Sequence, residues 1–227
     1  MKIFSVIFLV FAVLLSGCAS PRSWQYNADN YSRRQPLLAK KVAVPPFQDS
    51  RPTQNTAAVL MYLVPIMPFG WADYSAPEVG GIKMSGFGVW LFKPTEDLAK
   101  AAADELNASN LFKEAFFTQR PTDGDLVFRG NIKSTLYYWR ILSYGLSVYG
   151  PALHFFGFPA GTIYNELTVE FSLEEQGSGL SLWKKSYNLT YDRSPYWFYS
   201  LPTDFMYDDL FKRMMRDVIK DLEGGIK

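Results

Sequence analysis

The chain has 227 residues, with 23 basic and 22 acidic side chains, a formal net charge of +1, 48% hydrophobic content and 17% aromatic content. So even a balance lacks the positive field on which nucleic-acid affinity depends, and one cysteine with one histidine excludes an intrachain disulfide and the usual zinc ligand sets. The length suits a single domain that must be held together by packing alone.

At the amino terminus, Lys2 precedes an apolar run, residues 3–15, and the next formal charge is Arg22. A charged start, a short hydrophobic segment and a patch of small residues are the parts of a secretory signal peptide. The run is too short for a membrane span, which needs about 20 apolar residues. Leu15-Ser16-Gly17-Cys18 resembles the lipobox of bacterial lipoproteins. The resemblance implies a signal peptide over residues 1–17, cleavage between Gly17 and Cys18, a diacylglyceryl group on the Cys18 thiol and acylation of the new amino terminus. No cofactor beyond that covalent lipid is expected. Several acyl chains on one residue suffice for stable anchoring. Ala19 and Ser20 follow, with no Asp at the second position, which is similar to lipoproteins passed on to the outer membrane. The expected location is therefore the outer membrane, lipid-anchored and facing the periplasm. The competing reading is an uncleaved anchor in which Cys18 has no role.

Residues 18–38 are polar without sustained periodicity and read as a lipidated tether, so that a single domain spans 39–227. Lys41 to Phe47, KVAVPPF, reads as a strand with Val42 and Val44 on one face. Residues 53–93 form a long apolar insertion rich in Gly and Pro. Pro94-Thr95-Glu96-Asp97 opens a helix, because Pro suits the first turn and acids suit the positive end of the dipole. Its apolar stripe is Leu98, Ala102 and Leu106. Leu126, Phe128, Ile132, Leu136 and Tyr138 then mark one long amphipathic strand. Residues 166–174 alternate cleanly, with Leu167, Val169, Phe171 and Leu173 inward. They pair across the turn 175–179 with 180–191, where Trp183, Tyr187, Leu189 and Tyr191 share a face. Met206, Leu210, Met214, Val218 and Leu222 predict a final helix over 203–223. The expected fold is α+β: a mostly antiparallel sheet of about four strands with two main helices packed on it, plus the insertion.

Val42-Ala43-Val44-Pro45-Pro46-Phe47 with Asp49 and Arg51 after it, the helix ending ELNASNLFKEAFF, and Asp125-Leu126-Val127-Phe128-Arg129-Gly130 together resemble a loose group of envelope proteins. The group comprises the amino-terminal domain of the Tol-Pal translocation protein, lipoprotein activators of peptidoglycan synthases, and the periplasmic part of the curli secretion channel. The chain departs from all of them in its insertion.

Chemistry is thinly represented. His154, in ALHFFGF, reads as a buried structural histidine; a dyad with Ser143 or Ser147 is conceivable, but GLSVY, around Ser147, lacks the glycine after the serine that a nucleophile elbow needs. Glu174-Glu175 and Asp208-Asp209 read as solvated pairs. Gly86-Phe87-Gly88 and Gly177-Ser178-Gly179 do not open a phosphate loop, and Asp123 with Asp125 lacks the remaining ligands of a calcium loop. No enzymatic function and no metal site is expected.

Two tracts, residues 52–72 and 141–165, carry no formal charge, and their prolines and glycines exclude membrane helices. Three readings stay open. The tracts close the core, or they form a partner surface, or they supply membrane hairpins, the last from the alternation in residues 141–149. The partner surface would consist of Tyr62, Phe69, Trp71, Tyr144, Tyr149, Phe155, Phe156 and Phe158. The run Tyr196-Trp197-Phe198-Tyr199 either plugs a gap between helix and sheet or stacks on sugars. The expected function is that of a non-catalytic outer-membrane lipoprotein, an accessory or docking component of a cell-envelope complex. The expected partners are the membrane, through the anchor, and an envelope protein, with a homo-oligomer admitted and nucleic acid excluded. The alternatives are a subunit of an oligomeric secretion channel and a glycan-binding module.

Overall fold

The computed structural model of the chain describes residues 22–33, 35–78, 90–196 and 205–225. Its strands are β1 (Arg22–Ser23), β2 (Leu38–Val44), β3 (Gln48–Asp49), β4 (Asn55–Ala58), β5 (Phe69–Tyr74), β6 (Trp90–Leu91), β7 (Phe112–Phe117), β8 (Leu126–Ser134), β9 (Tyr137–Leu142), β10 (Gly161–Glu175) and β11 (Ser181–Arg193). The helices are α1 (Pro94–Ala108), α2 (Pro151–Phe155) and α3 (Tyr207–Gly225).

The spine is β10, along which buried and half-buried positions alternate from Gly161 to Leu173. Leu167, Val169, Phe171 and Leu173 are fully buried, as a period of two predicts. β11 pairs antiparallel along one side of it. The other side is shared end to end, because β8 pairs with residues 168–175 and β9 with residues 161–165. This division splits the sheet into two halves.

In the inner half, β2 runs parallel to both β7 and β8, and β3 runs parallel to β8. A parallel neighbour needs a crossover, and α1 supplies it between β2 and β7. Pro94 stands in its first turn with Glu96 and Asp97, and the Lys93 amide donates to Asp97 Oδ2 at 2.7 Å. α3 runs parallel to β10: the Met206 amide at its start donates to Asn165 Oδ1, while Gly225 at its end lies against Trp183, which pairs with Leu173. Leu210, Met214, Val218 and Leu222 point into the core, as the helical spacing predicts. In the outer half, β5 pairs with β9 and β4 pairs with β5. β1 and β6 form a separate parallel pair.

Among the described residues the main sheet is therefore mixed and has nine strands, accompanied by three helices. This overturns the expectation of about four mostly antiparallel strands with two main helices. The additional strands carry no period of their own. β4 is Asn-Thr-Ala-Ala, and β5 turns Gly70 and Ala72 inward, so part of the segment read as a loop insertion is sheet. β7 follows α1 directly through Asn110, whose φ of 51° turns the chain without a glycine. The single strand expected over 126–138 is two, parted at Thr135 and Leu136, and the register of the first against β10 shifts between Ile132 and Ser134.

Trp24, Tyr26 and Tyr31, within the segment read as a tether, pack against the core. Cys18 and Gly17 lie outside the described residues, as do Gly86, Phe87, Gly88, Trp197, Phe198 and Tyr199.

Candidate functional site at the outer end of the sheet

β5 and β9 lead to the outer end of the sheet. There, residues 59–68, which join β4 to β5, meet residues 143–158, which follow β9. The Ser143 and Tyr144 amides both donate to the Pro68 carbonyl, at 2.8 and 3.0 Å, and the Ile66 amide donates to Gly145 O at 3.0 Å. The Ser143 hydroxyl donates to Met67 O at 2.7 Å across 76 residues of sequence, and the Ser147 hydroxyl donates to Leu63 O. Two uncharged tracts thus form one body. Glycines permit the close approaches: a Cβ on Gly70 would lie 2.0 Å from Val59 O, and one on Gly150 would lie 2.4 Å from Ser143 O.

The surface of this tip is apolar. Ile66 is 88% exposed, Phe156 79%, Tyr149 77% and Leu60 73%, with Val64, Leu146, Val148, Phe155 and Phe158 exposed around them. Of the eight aromatic residues singled out in the sequence, Tyr149, Phe155, Phe156 and Phe158 stand on it. Tyr144 is half-buried, its hydroxyl donating to Pro159 O at 2.7 Å and its ring meeting Phe158 edge-on. Tyr62, Phe69 and Trp71 are half-buried on the flank. Phe69 there lies under the Arg140 guanidinium, which also covers Tyr138. The aliphatic members Leu60, Val64, Ile66, Leu146 and Val148 lie in the same charge-free tracts but carry no aromatic signal in the sequence.

Three non-glycine residues with positive φ sit in the tip: Ile66 at 75°, Tyr144 at 57° and Ser147 at 53°. A β-branched residue there is costly, and such outliers persist where the surroundings over-determine the backbone, often at functional sites.

The groups that the sequence offers for chemistry make structural bonds. His154 is 2% exposed, and its Nε2 donates to Leu142 O at 3.1 Å. Both candidate serine hydroxyls bond carbonyls, so no Ser-His dyad is assembled. Glu174 pairs with Arg129 and Glu175 with Lys40. Asp125 accepts from the Lys41 amide. Among the described residues no three His, Cys, Asp or Glu side chains group as metal ligands, and no helix is long and apolar enough to cross a membrane. The strand ends at Leu142 rather than continuing to Tyr149, which departs from the lipid-facing strand considered for residues 141–149.

Two further clusters hold this architecture in place. Arg51, whose side chain is 3% exposed, bonds Asp49 at 2.7 and 2.9 Å, Glu78 Oε1 at 2.5 Å and Thr135 Oγ1 at 2.5 Å. It thereby ties β3 to the chain beyond β5. The bonded guanidinium holds the Asp49 carboxyl below the usual range. Glu105, fully buried on α1, accepts from the Tyr26 and Tyr31 hydroxyls, both at 2.6 Å, and from the Asp29 amide at 3.1 Å. Burial first, and the bond to Glu105 second, push both phenols up. Asp29 in turn pairs with Arg216 and Lys212 on α3, and the Arg216 bond lowers its carboxyl. The amino-terminal segment is latched onto both long helices.

No family model matches the sequence, and no curated protein matches it. Among solved structures, the chain is similar to protein XCC0632 from Xanthomonas campestris, described under the family model DUF330. The TM-score is 0.47 and the identity 11%, covering 90% of this chain and 92% of that one.

Proposed function

We propose that the protein is a non-catalytic lipoprotein of the bacterial outer membrane, anchored through Cys18 with its domain in the periplasm. It acts as an accessory component that docks onto another part of the cell envelope through the tip. The observation that carries this reading is the convergence of two charge-free tracts on one exposed apolar surface, of a kind that soluble monomers rarely leave uncovered. The lipobox residues Leu15 to Cys18 support the anchor. The commitment of Ser143, Ser147 and His154 to backbone carbonyls supports a role without catalysis.

The test combines two measurements in the native host. Palmitate labelling and the mass of the amino-terminal peptide read the anchor, which Cys18→Ser abolishes. A photo-crosslinking residue in place of Tyr149 reads the docking surface and yields adducts with an envelope component. A retained Met1 with a free thiol, or a tip that forms no adduct in intact membranes, would defeat the proposal.

A further inference from the structure

We infer that the component covering the tip is the bilayer itself: the side chains around Ile66 and Phe156 enter the interfacial region of the leaflet that carries the Cys18 lipid. The inference deepens the proposed function and rests on it for the anchor. Its structural basis lies in where the chain leaves the body.

Followed forward from Trp24, the chain passes Glu105 and Arg216 and reaches Arg33, which pairs with Glu223 near the end of α3. Because α3 runs parallel to β10, that path leads away from the outer end of the sheet. Followed backward, the chain leaves at the starts of α1 and α3, the end nearer the tip. A ladder of rings fixes this exit. Trp24 meets Phe92 at 5.0 Å, Phe92 stacks on Tyr207 at 5.8 Å, Tyr207 on Phe205 at 5.9 Å, and Phe205 meets Tyr137 at 4.6 Å. Tyr137 begins β9, and the tip begins where β9 ends.

The distances agree. Six residue steps separate Trp24 from Cys18, a reach of at most about 20 Å. Five residue steps of β9, from Tyr137 to Leu142, span roughly 17 Å in the direction of the tip. A lipid held on so short a lead keeps the same end of the body against the membrane. The tip meets what that position demands. Its tracts carry no charge. The amides of Ile66, Met67, Ser143, Tyr144, Leu146, Tyr149, Gly150, Leu153, Phe156 and Phe158 all have carbonyl partners within the tip, so little backbone would be left unsatisfied outside water. Tyr62, Trp71 and Tyr144 flank the apolar side chains, as aromatics do at a membrane interface. The first charge back along β9 is Arg140, held flat on Phe69 and Tyr138, at the level where a guanidinium meets lipid phosphate.

The mature lipidated protein carrying Phe156→Cys has one free thiol, because Cys18, the only native cysteine, is acylated. An environment-sensitive fluorophore on that thiol is read in phosphatidylethanolamine and phosphatidylglycerol vesicles with brominated acyl chains. The control is Ser178→Cys, at the opposite end of β10, some 45 Å away at strand spacing. Quenching at position 156 is expected to exceed that at 178 several-fold. Adding Ile66→Asp or Val148→Asp is expected to lower the inserted fraction roughly tenfold, since a carboxylate resists leaving water. Equal quenching at the two positions overturns the inference. So does shielding of position 156 that arises only when native envelope proteins are added, which would assign the surface to a protein. The mass of the amino-terminal peptide separates the two levels. An acylated Cys18 with an unquenched tip defeats this inference and spares the lipoprotein reading, whereas a free thiol defeats both.

Discussion

Replacing Arg51 by Met tests the ion cluster that fastens the chain beyond β5. The guanidinium is nearly buried, Glu78 is 12% exposed and Asp49 39%, so Asp49 can rehydrate while Glu78 is left as a shielded, unpaired carboxylate. Removing one partner of a buried pair costs about 3–5 kcal/mol. The expected loss is therefore of that order, about 3–5 kcal/mol at pH 7. Urea unfolding followed by fluorescence of the six tryptophans measures it. The double variant Arg51→Met/Glu78→Gln should recover about half, because the orphaned charge is gone. A loss under about 1 kcal/mol in the single variant, or a double variant less stable than the single, would show that the cluster does not bear on stability as argued.

Tyr26→Phe with Tyr31→Phe strips two hydroxyl donors from buried Glu105 and should cost about 3 kcal/mol; amide exchange over residues 24–33 should accelerate, and unchanged exchange would exclude a latch. Burial and carboxylate partners raise the Tyr26, Tyr31 and Tyr187 phenols, and burial pushes Tyr137 up to about 12. The folded state thus keeps protons that the unfolded state sheds above about pH 10, so stability is full below that pH and falls above it, which urea midpoints at pH 8, 10 and 11 would reveal. Asp49 and Asp221 are lowered by their cationic partners and contribute the opposite edge, stability lost as pH falls below about 4. Gly70→Ala forces a Cβ onto the Val59 carbonyl and should cost about 2 kcal/mol, with a change in Trp71 emission; a silent substitution would contradict the close approach. Ile66→Asn relieves a β-branched residue at positive φ and should stabilise the fold by about 1 kcal/mol, so an unchanged or lower thermal midpoint would argue against strain there.

The elements legible in the sequence are those whose burial has a period. In β10 and β11, α1 and α3, one face meets the core along its whole length, so spacing alone places Leu167 to Leu173, Leu98 to Leu106 and Leu210 to Leu222. β5 has no such signature. Its inward residues are Gly70 and Ala72, the first small because Val59 and the turn after it sit on the strand, and pairing with β4 and β9 makes it sheet. β7 is likewise defined by β2 beside it. The tip was half legible for the same reason. Loss of charge is a local property and marks both tracts, but their junction at Pro68 and Ser143 is tertiary. Asp49 and Arg51 stood out as part of a resemblance; Glu78, the partner that gives them an anchoring role, has no local signal at all.

The division of β10 explains how one end of the body can be specialised without loosening the other. The inner half closes around α1 and α3 and includes the most deeply buried residues, whereas the outer half rests on five residues of β10 and on β9. Its two loop tracts are joined by backbone pairing and by the Ser143 and Ser147 hydroxyls, and His154 bonds Leu142. Those bonds also fix where Ile66 and Phe156 stand. Because Tyr137 belongs both to β9 and to the ring ladder that ends at Trp24, the tip and the exit of the amino-terminal chain are positioned by one piece of structure. A change in that ladder, at Phe92 or Phe205, must therefore disturb both together. Uncoupled responses of the two sites would show that their proximity has no mechanical consequence.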